Sequence, residues 1–229
     1  MRIVRLAACS FVLSTLALAS DGTLPRSASS DLKGAIEKAD AALVTGDRHL
    51  ALALYEGSLY PTDVKLAFDR DSVETNRQIS AVTSALDVWR EELDGDFPFS
   101  LVNDVKDADV VVRFVDSIPE RGEDTLGLIK IEKNYRWSRS FHSFTCKGAI
   151  LIVRSCDGEW LSQSETRDVV MHEIGHLLGL ADSPDVGLLM GPLERGKPLL
   201  RPTPGETEDV KALRRTLRGR LRAAAEPVR

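Results

Sequence analysis

The stretch Val169-Val170-Met171-His172-Glu173-Ile174-Gly175-His176-Leu177-Leu178-Gly179-Leu180-Ala181-Asp182 constrains this chain more than any other. Its pattern is H-E-x-x-H-x-x-G-x-x-D, set in an otherwise apolar run. Residues four apart on an α-helix lie one above the other, so His172 and His176 present two imidazoles to one point. At about 100° per residue, Val170, Ile174, Leu177 and Leu178 take one side and the histidines nearly the opposite one. The histidine side lacks the lysines and glutamates of a solvated face, so the helix reads as buried on both sides. Buried imidazoles without partners cost free energy, and metal ligation removes that cost. Two histidines at this spacing begin a zinc site, and Glu173 between them is placed to act as a base on a water molecule.

A third ligand is needed. Gly179 can take the left-handed conformation that ends a helix, and Asp182, just past that turn, can swing back to the metal. Asp185 lies beyond Pro184 and is a weaker candidate. A later glutamate, Glu194, Glu206 or Glu208, is an alternative that leaves Gly179, Asp182 and Met190 without a role. The other histidines, His49 and His142, read as ordinary surface or core residues, although a three-histidine site would have to recruit one of them.

The 229 residues suffice for one large domain with an appendage, and 43% hydrophobic with 28% charged residues is a globular composition. A net charge of −5 and the absence of a basic, aromatic-interleaved patch exclude a nucleic-acid partner. Residues 1–19 stand apart. Arg2 and Arg5 precede an apolar run ending in Ala17-Leu18-Ala19, the layout of a signal peptide cut near Ser20. A secreted protein, extracellular or periplasmic, with no membrane span follows as the expectation. Leu6-Ala7-Ala8-Cys9 resembles a lipoprotein box but comes too early in the apolar run to favour a lipid anchor. Cys146 and Cys156 flank an apolar strand pattern; ten extended residues span roughly 33 Å, against roughly 5.5 Å between bridged Cα atoms. Their pairing stays open.

Residues 20–30, rich in Ser, Gly and Pro, read as a flexible linker. Residues 31–61 read as two helices broken at Thr45-Gly46-Asp47 and closed by Pro61: a helical hairpin serving as pro-segment or appendage. Residues 62–229 form the main domain. Strands are expected at residues 64–68, 108–115, 126–131 and 149–153, with helices over residues 72–93, the motif and residues 206–223. Residues 132–147 fit no assignment. Ser162-Gln163-Ser164-Glu165 is a capping box opening the motif helix. Without a regular β-α alternation, the fold class is α+β.

The motif with Asp182 in last place resembles that of the metzincin zinc peptidases, and aspartate there resembles the snapalysin-type variant. The run to Leu189-Met190-Gly191-Pro192 is similar to the matrixin pattern, in which a methionine turn underlies the zinc; Met190 matches it. The resemblance implies a twisted mixed sheet with a long first helix, an active-site helix and a C-terminal helix. It implies a monomeric zinc endopeptidase acting on protein or peptide substrates, with one catalytic Zn²⁺ on His172, His176 and Asp182 and with Glu173 as general base. The substrate is expected to lie along an edge strand within residues 126–147. Residues 191–205, with Arg195, Lys197 and Arg201, would offer a basic wall to the substrate. The family's His- and Asp-rich loop for further metals is missing, and so is the pro-segment cysteine that blocks the zinc.

Overall fold

A computed structural model describes residues 23–60, 63–120 and 125–226. The expected signal peptide, with Cys9, lies outside the described residues, as does Pro61. The chain opens with helices α1 (Ser30–Val44) and α2 (Arg48–Leu59), which pack on each other. Strand β1 (Val64–Phe68) leads to helix α3 (Asn76–Glu92). Strands β2 (Phe99–Leu101), β3 (Val110–Val115), β4 (Gly127–Ser138) and β5 (Phe141–Val153) follow. After a small ribbon of β6 (Ser155–Cys156) and β7 (Glu159–Trp160) come the motif helix α4 (Gln163–Leu177) and the terminal helix α5 (Pro204–Ala225).

The five-stranded sheet has the order β2-β1-β3-β5-β4, parallel except for β4, which runs antiparallel to β5 at one edge. Val110, Val112 and Phe114 of β3 pair with Gly148, Ile150 and Ile152 of β5. Alternation puts these side chains on one face, and all but the glycine are buried apolar groups of the core. Helix α3 packs on α4. At their contact Trp89, fully buried, donates from Nε1 to the carbonyl of Met171 at 3.0 Å. This is an α+β fold with a mixed sheet, as the segment pattern implied.

Three segments differ from expectation. Helix α3 starts at Asn76 because Thr75 and Gln78 form a capping box there, and Ser72 belongs to a short 3₁₀ turn, Arg70–Ser72. The unassigned residues 132–147 are the outer parts of β4 and β5, one long hairpin in register from Gly127↔Ile152 to Ser138↔Phe141. Its outer part is exposed on both faces of β4, so no apolar/polar alternation announced it. Residues 24–29 are not a flexible linker. Ala28 is 2% exposed and bridges Leu180, and the backbone around it is hydrogen-bonded. Cys146 and Cys156 carry free thiols, the first buried on β5 and the second on β6.

Candidate metal centre

Helix α4 starts where its sequence says. Ser162 accepts from Glu165 N through Oγ at 3.2 Å, and Glu165 Oε2 accepts from Ser162 N at 2.8 Å. The motif turns at Gly179, whose φ of +99° is left-handed backbone that an L side chain rarely adopts. Leu32 of α1 closes the space a side chain would need, its Cδ2 lying 2.6 Å from an ideal Cβ.

Two backbone carbonyls orient the imidazoles. Nδ1 of His172 lies 2.7 Å from the Leu189 carbonyl, and Nδ1 of His176 lies 3.0 Å from that of Leu180. Carbonyl oxygens only accept, so both Nδ1 atoms donate and both Nε2 atoms present lone pairs. Those Nε2 atoms stand 3.2 Å and 3.3 Å from Oδ1 of Asp182. Tetrahedral zinc bonds of roughly 2.0–2.1 Å imply ligand atoms roughly 3.3 Å apart. The ligating atoms of His172, His176 and Asp182 all fall within 4.8 Å of one another. Two lone pairs facing a carboxylate oxygen repel unless a cation joins them. A proton is the poorer choice, since burial and then the neighbouring His176 push the pKa of His172 down. The residues fit a zinc ion.

The site is enclosed below and open above. His172 is 8% exposed, whereas the Asp182 side chain is 77% exposed. Glu173 is buried against the first residue of β4. An ideal Cβ at Gly127 would stand 2.5 Å from Glu173 Oε1 and 2.6 Å from Val169 Cγ1. Sequence reading missed Gly127; a glycine opening a strand was its only signal. Met190 packs against α4. Its sulfur packs against Gly175, where any Cβ would overlap it. The Met190 N–H donates to Glu206 Oε1 at 2.8 Å, and its carbonyl accepts from Ser183 N at 2.7 Å, next to Asp182.

The other candidates are engaged elsewhere. Glu206 also holds Thr203 N through Oε2 at 2.8 Å, Glu194 pairs with Lys197 and Glu208 with Arg215. Asp185 is outside the convergent group. His49 and His142 face each other at 3.2 Å between Nδ1 atoms, joining α2 to β5, and His142 also meets Glu56. The basic residues expected to wall the substrate each have a carboxylate partner. Arg195 is bound to Glu165 at 2.8 Å, Lys197 to Glu194 at 3.3 Å, and Arg201 to Glu91 and Glu92 at 2.9 Å each. Arg195 and Arg201 tie the loop to α4 and α3, whereas Lys197 pairs within it.

A buried helix offering this donor set beside an edge strand places the chain in the class of zinc-dependent peptidases. The matrixin family model matches residues 61–214, and the chain belongs to that family of zinc metalloendopeptidases. No curated protein sequence matches it. Zinc is the metal that matrixins use, and His172, His176 and Asp182 are the candidate ligands. The matched segment excludes the α1–α2 hairpin.

Proposed function

We propose that His172, His176 and Asp182 hold the catalytic zinc, in the snapalysin-type arrangement, and that Glu173 is the general base for peptide-bond hydrolysis. The observation that carries this reading is the convergence of both Nε2 atoms on Asp182 Oδ1, at the separation tetrahedral ligands require. Zinc, when bound, supplies Lewis acidity that polarises the scissile carbonyl and brings the pKa of a water molecule toward about 7. The carbonyls of Leu180 and Leu189 keep both imidazoles in the tautomer that leaves Nε2 free. Glu173 takes a proton from the attacking water on a carboxylate oxygen and passes it to the nitrogen of the leaving amine. Its burial against Gly127 keeps bulk water from competing for that carboxylate. Met190 would underlie the centre as the methionine turn, its sulfur packed against Gly175 between the two histidines.

The substrate, a protein or peptide, lies extended along the outer edge of β4 near Gly127. Among the described residues that edge has no neighbouring strand in the sheet, and an added strand is the cheapest way to satisfy its backbone groups. Export follows from the signal-like residues 1–19, and no helix among the described residues is long and apolar enough to cross a membrane.

The test compares four proteins: wild type, Glu173→Ala, Asp182→Ala and Asp185→Ala. Glu173→Ala is expected to bind zinc at the wild-type stoichiometry while casein cleavage falls by at least 10³-fold, an order-of-magnitude figure for losing a base that acts in both proton transfers. Asp182→Ala is expected to lose zinc affinity markedly and Asp185→Ala to keep it. Chelator-insensitive cleavage, or equal activity in Glu173→Ala, would sink the assignment.

A further inference from the structure

The residues just before α1 run beside the turn that carries Asp182. Ser29 N donates to the Gly179 carbonyl at 2.8 Å, and Ala181 N donates to the Ser27 carbonyl at 2.7 Å. These two bonds form an antiparallel bridge between Ala28 and Leu180, both essentially buried. Leu180 is also the residue whose carbonyl accepts from His176 Nδ1. Ala181, held from the other side, immediately precedes Asp182. The bridge therefore clamps the backbone between one imidazole's partner and the carboxylate. The clamp is itself anchored. Ser27 Oγ donates to Asp209 of α5, and Leu32 packs over Gly179. Behind it, the hairpin is fastened to α5, where Arg214 Nη1 donates to the Leu59 carbonyl at 2.9 Å and Arg220 pairs with Asp40.

Asp182 needs this support. Its side chain is largely exposed, and it sits on a non-helical turn where, among the described residues, its partners are the two imidazoles alone. A ligand on an unsupported turn pays ordering entropy each time it binds. We infer that residues 27–29 are a positioning element of the metal centre, and that the α1–α2 hairpin carrying them is a retained part of the working enzyme rather than a removed pro-segment. The inference rests on Asp182 being the third ligand. It makes the appendage a brace: the two bridge hydrogen bonds hold residues 179–182 in the shape that presents Oδ1 to both Nε2 atoms before the metal arrives.

One backbone position tests it. Ser29 has φ of −62° and ψ of 152°, which proline adopts without strain, so Ser29→Pro deletes the N–H given to Gly179. Ser29→Ala removes the same side-chain cap on α1 but keeps the N–H, and is the reference. Zn²⁺ affinity of the full chain is measured by competition with a chelator, with Asp182→Ala alongside. Ser29→Pro is expected to bind Zn²⁺ at least tenfold more weakly than Ser29→Ala while its far-UV circular dichroism stays unchanged. Equal affinity of the two Ser29 variants, with Asp182→Ala weakened, overturns the brace and leaves the ligand assignment standing. Unweakened Asp182→Ala overturns the ligand assignment itself. Should Ser29→Pro fail to fold, hydrogen exchange decides on the wild-type protein: slow exchange of the Ala181 amide supports the brace, and exchange at the rate of an open loop refutes it. The intact mass of the active protein is expected to include residues 27–59; an active form lacking them overturns the claim that the hairpin is retained.

Discussion

Two glycines bring the parts of the centre together by what they lack. Gly127 leaves room for the Glu173 carboxylate against β4, and Gly175 leaves room for the Met190 sulfur under α4. Gly127→Ala is expected to push Glu173 aside and lower kcat by roughly 10–100-fold, the scale on which an ångström of misplacement costs a reaction. Zinc content should stay at the wild-type value, because the atoms nearest a side chain there belong to Glu173 and Val169 rather than to the ligands; metal analysis beside steady-state kinetics checks both. Gly175→Ala instead overpacks the core, and about 1–3 kcal/mol of stability should be lost in urea unfolding. At this scale the sequence was legible where the chemistry is local. His172, Glu173, His176, Gly179 and Asp182 sit within one helix and its turn, so spacing alone brought them together. Gly127 was not legible, because the demand on it comes from a helix that lies far along the chain.

Both capping boxes of the site's helices serve a second purpose. Glu165 caps α4 and also accepts from Arg195 and from Gly196 N, fastening the loop that follows Met190. Burial alone would raise its pKa, but the backbone N–H groups of Gly196 and Ser162, the Ser162 hydroxyl and Arg195 outweigh this and hold it down to about 2. Glu206 caps α5 and also takes the buried Met190 N–H. Glu206→Ala should therefore cost about 2–4 kcal/mol, the sum of a lost cap and a buried donor left without a partner. Glu206→Gln, which keeps an acceptor, should cost less than half of that by thermal unfolding. Asp168, one turn before His172, behaves oppositely. Its carboxyl is buried with Oδ1 unpartnered, and burial raises its pKa to about 6. A raised folded-state value contributes stability below the unfolded pKa of 3.8 that is lost as pH rises through about 6. Asp168→Asn should thus gain on wild type at pH 7.5, by roughly 2–3 kcal/mol, and show no gain at pH 3.5. Equal differences at the two pH values would refute the assignment. The elements themselves were readable where a cap or a buried face announced them, as at Ser162 and in β3. The β4–β5 arm lacked both, and its register depends on partners across the hairpin.

The whole molecule hangs on α5, where the spacing of Lys211, Arg214, Arg215, Arg218, Arg220 and Arg222 reads as the solvated basic face of a last helix. That reading holds for Arg215, which is exposed, and fails for Arg214, which is 6% exposed. Arg214 binds Asp96, after α3, through Nε and Nη2, and the Leu59 carbonyl, at the end of α2, through Nη1. One guanidinium thus joins the matched domain to the hairpin outside it, a junction no local pattern could announce. Burial pushes the Asp96 pKa up, yet hydrogen bonds from Arg214 and Arg218 outweigh it and leave the carboxyl below its ordinary 3.8. A depressed value contributes stability above the unfolded pKa that is lost as pH falls through the folded one, so this junction weakens in acid. Arg214→Ala leaves the half-buried Asp96 carboxylate with Arg218 alone and the Leu59 carbonyl without its donor, which should cost about 1–3 kcal/mol at pH 7. Because the hairpin also braces the metal turn, the loss should not stop at stability. Arg214→Ala is expected to unfold in one cooperative step with a lowered midpoint, and Zn²⁺ should restore part of the difference, since the ion binds only when the turn is held. A two-step transition in which the hairpin melts first and Zn²⁺ affinity is untouched would show hairpin and metal centre to be independent.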